Sequence, residues 1–174
     1  DHAEQATRTA IQAMPDGQYV QEDIFEDDGF GNEVALKLKV TLQIASDQLT
    51  ADFTGTDAQA KGAINMPLSM TKAMVYGALK LIVSPDILLN SGFVRPMTVN
   101  VPLGSLLNPR FPAAVGGRAS LAFRVSDMVF RALAQALPEK VPNVGEGGDV
   151  LHFIGRGADG RPVLEVAKEM TTLT

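Results

Sequence analysis

From Val34 to Ile44 every second residue is apolar: Val34, Leu36, Leu38, Val40, Leu42 and Ile44 alternate with Lys37, Lys39, Thr41 and Gln43. Successive side chains of a strand point to opposite faces, so alternation this long demands a β-strand with one buried and one wet face. Any fold for this chain must supply a sheet and something apolar to cover it. A short turn at Ser46-Asp47 returns the chain along residues 49–54. There Leu49, Ala51 and Phe53 share the apolar side, and Asp52 points to the polar one.

The return strand runs into a loop over residues 52–65, rich in donors and acceptors: Asp52, Thr54, Thr56, Asp57, Gln59 and Asn65, with Gly55 and Gly62 between them. Loops held between rigid elements often carry binding groups. The same composition also suits a tight, hydrogen-bonded connector. Residue types alone leave both readings open.

The remaining elements are read by period and by breakers. Ala3, Ala6, Ala10, Ile11 and Met14 predict an amphipathic helix ended by Pro15-Asp16-Gly17. Residues 19–25 are strand-like and residues 26–32 form a turn. A helix is predicted over residues 69–83, with Met70, Met74, Gly77, Ala78, Leu81 and Ile82 on one stripe and Ser84-Pro85 as its stop. Residues 85–92 are irregular. Residues 93–101 read as a strand, with Pro96 arguing for an edge position, and Val101-Pro102-Leu103-Gly104 suits a type I turn. The longest helical pattern follows Gly116-Gly117, with Leu121, Val125, Met128, Val129, Ala132, Leu133, Ala136 and Leu137 as its stripe and Pro138 as its end. Residues 143–149 are a glycine-rich loop, and residues 150–154 and 162–166 read as a hairpin about Asp159-Gly160. The expected fold is a single α+β unit across residues 1–174, in which antiparallel hairpins pack with two long amphipathic helices and βαβ units do not alternate regularly.

Composition narrows the chemistry. At 174 residues and 45% hydrophobic the chain can bury a real core. A net charge of −5 and a pI near 5.0 argue against a nucleic-acid partner. No apolar run is long enough for a bilayer, and no signal peptide leads the chain. The absence of cysteine removes disulfides, thiolate nucleophiles and cysteine zinc sites. The chain opens on Asp1-His2 and stops at Thr174 after a strand-like segment, which reads as an internal piece of a longer polypeptide.

Most recognisable chemical motifs fail. Only His2 and His152 are available as imidazole ligands, and aligning Gly29 with an EF-hand loop places Ile24 and Ala35 at the terminal ligand positions. No metal site is therefore expected. Gly104-Ser105-Leu106-Leu107 lacks the second glycine of a nucleophile elbow. Gly145-Glu146-Gly147-Gly148 lacks both a Lys-Ser/Thr pair and a following helix, so it is no nucleotide loop. Gly116-Gly117-Arg118, at a helix start, could meet an anion through free N–H groups, the dipole and an arginine. Glycines allowing close backbone approach explain the same residues. Arg95 before Pro96 suits a carboxylate contact or a contact to a neighbouring loop.

One resemblance covers most of the chain. Met14-Pro15-Asp16-Gly17, Asp27-Asp28-Gly29, Asp52-Phe53-Thr54-Gly55-Thr56 with Gln59, Gly62 and Asn65, Asn90-Ser91-Gly92, Arg95-Pro96, Pro102-Leu103-Gly104-Ser105, Asn108-Pro109 and Pro112-Ala113-Ala114-Val115 stand in an order and spacing that resembles the hydantoinase B/oxoprolinase family. That resemblance implies a cytoplasmic, multi-subunit, ATP-dependent enzyme that hydrolyses cyclic amides such as hydantoin or 5-oxoproline. Its partner would be a hydantoinase A-type subunit that phosphorylates the carbonyl oxygen. ATP and a divalent metal are implied for the full enzyme and no cofactor for this piece, which would fold but not turn over alone. The family's upstream Gly-Gly-His segment with metal-ligand character has no counterpart here, and Gly116-Gly117-Arg118 departs from a Gly-Asn pattern. The resemblance places Asp52 as a catalytic candidate and Thr54, Asn65, Asn90, Arg95 and Arg118 as substrate-binding candidates converging on one cleft. A ketone carboxylase subunit and a non-catalytic scaffold or subunit-docking domain are the alternatives.

Overall fold

The computed structural model describes residues 2–28, 30, 33–83, 86–141, 148–156 and 161–170. The alternating stretch becomes the central strand of a four-stranded sheet. Strand β1 (Gly17–Asp27) pairs antiparallel with β2 (Glu33–Ala45), which pairs antiparallel with β3 (Gln48–Asp52). Leu38, Val40, Leu42 and Ile44 are buried as the alternation requires, and so are Leu49, Ala51 and Phe53 on the return; Leu36 is half-buried and Val34, at the start of the strand, is exposed. Asp52 and Asn100, the last residues of their strands, are register partners.

The fourth strand corrects the reading of residues 93–101. Asn90 Oδ1 accepts the N–H groups of Gly92 (2.9 Å) and Phe93 (3.2 Å), which starts a short helix instead of a strand. That helix, Ser91–Val94, seats Phe93 in the core, and only Met97–Asn100 forms strand β4. β4 lies at the sheet edge, as Pro96 suggested, but it pairs parallel to β3. A parallel pair needs a crossover. It is supplied by α2 (Leu68–Val83) and α3 (Ser91–Val94), so one βαβ unit stands beside the hairpins.

Helix α1 (His2–Gln12) packs on α3 and β3, and α4 (Ala119–Ala136) lies against β1, β2 and α2. The fold is α+β, with four helices: the three read from the sequence and the short α3. α4 buries Leu121, Val125, Met128, Val129, Ala132 and Leu133, the face read from its pattern. α2 does not follow its expected stripe. It buries Thr71, Val75, Ala78, Leu79 and Ile82 and leaves Leu81 64% exposed. The reason is composition: α2 is apolar nearly all round, so more than one face fits a helical period. The expected turn at residues 101–104 is shifted by one residue. Ser105 N–H closes it on Pro102 O (3.2 Å), and Gly104, with φ 89°, holds the third position as in a type II turn.

Strands β5 (Gly148–Arg156) and β6 (Pro162–Met170) pair antiparallel as a separate two-stranded sheet, longer than the expected hairpin. The tip predicted at Asp159-Gly160, the stop at Ser84-Pro85 and most of the glycine loop at residues 143–149 lie outside the described residues, as do Gly29, Gly31 and Asn32 of the first turn.

Candidate functional site

The loop over residues 52–65 is a hub of backbone contacts. Asp57 N–H donates to Lys37 O (2.9 Å) and Asp57 Oδ2 accepts from Lys37 N–H (2.7 Å), so the loop borders the outer part of β2. Thr56 and Lys39 exchange bonds in the same way. The Gln59 side chain holds both the N–H (2.6 Å) and the carbonyl (3.3 Å) of Arg110. Asn65 is fully buried. Its amide nitrogen donates to the carbonyls of Ala60, Gly62 and Ala114, and its oxygen accepts Ala60 N–H (2.8 Å). All of its hydrogen-bonding capacity serves the backbone, as a buried amide requires.

Asp52 and Thr54 sit differently. Thr54 donates to Asp52 Oδ1 from both its N–H (2.8 Å) and its hydroxyl (2.7 Å), which fixes the carboxylate in one orientation. The two residues line a cleft of about 470 Å³ together with Leu68, Lys72, Asn100 and Pro102. Its position follows from the crossover: the parallel strands β3 and β4 end side by side, and Leu68 and Lys72 of the first turns of α2 line the same cleft. Clefts outside the carboxyl ends of parallel strands are the usual ligand sites of such units. Lys72 also lines a second, more apolar groove of about 470 Å³ with Ala73, Tyr76, Gly77, Leu89 and Asn90. Burial raises the Tyr76 phenol above its ordinary value.

The other expected site residues do not join Asp52. Asn90 caps α3 through its side-chain oxygen and reaches the rim of the second groove. Arg95 pairs with Glu4 of α1 (2.9 Å), which in turn holds Arg8 (2.9 Å). These guanidinium hydrogen bonds, Arg95 foremost, hold the Glu4 carboxyl below its usual range. Arg118 is exposed and donates to Val115 O (3.1 Å) at the start of α4. The N–H groups of Gly117, Arg118 and Ser120 already reach Ala63 O, Val115 O and Gly117 O, so these three are not free for an anion. A side chain at Gly117 would meet Ala63 O at 3.4 Å, which fits close backbone approach.

Two cleft residues, Lys72 and Asn100, escaped the sequence reading. Lys72 lies off the apolar stripe read for its helix, and Asn100 is placed opposite Asp52 only by the parallel register. Among the described residues neither side chain has a hydrogen-bond or ion-pair partner. No group of three or more His, Cys, Asp or Glu side chains among the described residues could hold a metal, so no metal-ligand role is given to them. No helix among them is long and apolar enough to cross a membrane.

Comparison with known proteins bears on this geometry. The chain is 34% identical over 167 residues to a protein of Pseudomonas sp. (strain NS671) designated a D-/L-hydantoinase subunit, covering 90% of this chain and 28% of that one. It is 36% identical over 97 residues to a 5-oxoprolinase of Saccharomyces cerevisiae, covering 55% of this chain and 8% of that one. It thus spans less than a third of the length of these relatives. Its fold is similar to that of an ATP-dependent caprolactamase from Pseudomonas jessenii (TM-score 0.78, 23% identity, 94% of this chain and 28% of that one). It is similar also to that of an acetone carboxylase (TM-score 0.80, 14% identity, 96% of this chain and 24% of that one). The hydantoinase B/oxoprolinase family profile matches residues 1–172, and the chain belongs to that family.

Proposed function

We propose that this chain forms one wall of the substrate cleft in an ATP-dependent cyclic-amide hydrolase, acting with the rest of its own subunit and a hydantoinase A-type partner. The observation that supports this most is the cleft beyond β3 and β4, where a fixed carboxylate lines one volume with a carboxamide and an ammonium that have no partner among the described residues. A cyclic amide presents its N–H and its carbonyl on the same side of the ring. The Asp52 oxygen not held by Thr54 suits the ring N–H, and Asn100 offers both a donor and an acceptor.

An amide carbonyl is a poor electrophile because of resonance, and ATP supplies its activation on the partner subunit. The described residues carry no phosphate-cradling loop, so that step is not placed on this chain. Here Asp52 orients the ring and accepts a proton from the attacking water. Thr54 acts through Asp52 as a positioning residue. Asn90, at the rim of the adjoining groove, meets the substrate farther from the reacting carbonyl. Asn65, Arg95 and Arg118 hold the walls in place. A ketone carboxylase is the second reading. A ketone has an acceptor for Lys72 but no N–H for Asp52, and the fold is similar to that of an acetone carboxylase.

The deciding assay uses the full-length subunit with its partner, ATP and either hydantoin, 5-oxoproline, or acetone with bicarbonate. Turnover of a cyclic amide that falls about 100-fold in Asp52→Asn supports the hydrolase. Turnover of acetone alone supports the carboxylase, and an unchanged rate in Asp52→Asn returns the cleft to a structural role. The 174-residue chain by itself is expected to show no turnover.

A further inference from the structure

Lys72 stands where two unlike surfaces meet. On one side is the polar cleft of Asp52 and Asn100, and on the other is the groove of Ala73, Tyr76, Gly77 and Leu89 between α2 and α3. Its side chain is half-buried yet makes no ion pair or hydrogen bond among the described residues. Asp52 does not neutralise it: both side chains line the cleft, but they form no ion pair, and Asp52 is held by Thr54 instead. A cation with no counterion among the described residues favours an anion placed beside it.

From this we infer that Lys72 anchors the carboxylate of an amphiphilic ligand whose hydrocarbon arm lies in the α2–α3 groove. The inference rests on the proposed function for its ligand class. Ring opening adds water across the C–N bond: the carbonyl carbon gains an oxygen, the nitrogen gains a proton, and the product acid ionises. The neutral ring amide thus becomes a carboxylate, and Lys72 binds that developing charge better than it binds the amide. The groove takes the part of the molecule that carries no charge. Lys72 is thereby a binding residue for the product end of the reaction, and α2 sets which hydrocarbon arms are accepted.

The test uses sodium hexanoate, hexanamide and sodium acetate as probes, with amide chemical shifts of α2 as the readout. Hexanoate is expected to bind about tenfold or more tightly than hexanamide, and less tightly as salt is added. Lys72→Met, which keeps helix propensity, removes that preference. Gly77→Leu puts a side chain into the groove, where a Cβ at Gly77 meets nothing within 4 Å. It should weaken hexanoate about tenfold and leave acetate unchanged. Equal binding of hexanoate and hexanamide, or unaltered hexanoate binding in both variants, overturns the inference. Selective hexanoate binding in a protein whose assembled enzyme opens no cyclic amide removes the proposed reaction and leaves the anion site standing.

Discussion

Asp52 and Asn65 belong to one loop and have opposite prospects. Asp52→Asn keeps the oxygen that Thr54 bonds, so stability should change by less than about 0.5 kcal/mol while turnover of the full enzyme collapses. Asn65→Ala should do the reverse. It strands the Ala60 N–H and the carbonyls of Ala60, Gly62 and Ala114 in a buried site, at about 3 kcal/mol in chemical denaturation. Residue type did not separate the two, since both are short polar side chains in a polar loop. The strand register did part of the work, placing Asp52 on the outer side of β3. Lys72 and Asn100 were illegible for a related reason. Their meaning comes from what lies opposite them, and no local pattern carries that.

At the scale of elements, legibility followed the contrast between faces. β2 and α4 alternate sharply between apolar and polar residues, and both fold with the predicted faces inward. α2 has almost no polar face, so its period fitted a stripe that the fold rejects. Leu79→Ala should cost about 3 kcal/mol by opening a cavity, whereas Leu81→Ala should cost less than about 0.5 kcal/mol, although the sequence stripe predicts the opposite order. The strand expected at residues 93–101 was lost to one cap, because Asn90 rewards helical geometry just before Phe93 must turn inward. α1 is tied to its neighbours by charge. The Glu4 carboxyl is held below its ordinary value, so its contribution is present above the unfolded-state value and fades as pH falls through the lowered one. Burial instead raises the Asp127 carboxyl, against the opposing pull of Arg131 and Arg124, so its ionised form weakens the fold as pH rises through the raised value. Glu4→Gln should therefore lower Tm at pH 7 and change little near pH 3, while Asp127→Asn should raise Tm at pH 7. Thermal melts at the two pH values read both signs.

The whole sheet and all four helices share one continuous core, from Ile11 of α1 to Leu133 of α4. That predicts a single cooperative transition over residues 2–141. Tyr19 on β1 and Tyr76 on α2 report from different elements, and with no tryptophan in the chain their fluorescence is directly readable. Tyr19→Phe and Tyr76→Phe proteins, each retaining one reporter, should melt at midpoints coincident with far-UV dichroism; separated midpoints would mean two independent units. The parallel pairing of Asp52 with Asn100 has one more consequence, in time instead of space. The two halves of the cleft are made far apart on the chain and are joined only when the α2–α3 crossover closes. Non-local parallel pairing is a slow step in folding. A chain emerging from the ribosome therefore carries Asp52 with only Thr41 of β2 beside it, and acquires a place to bind only when Asn100 and the strand before it arrive.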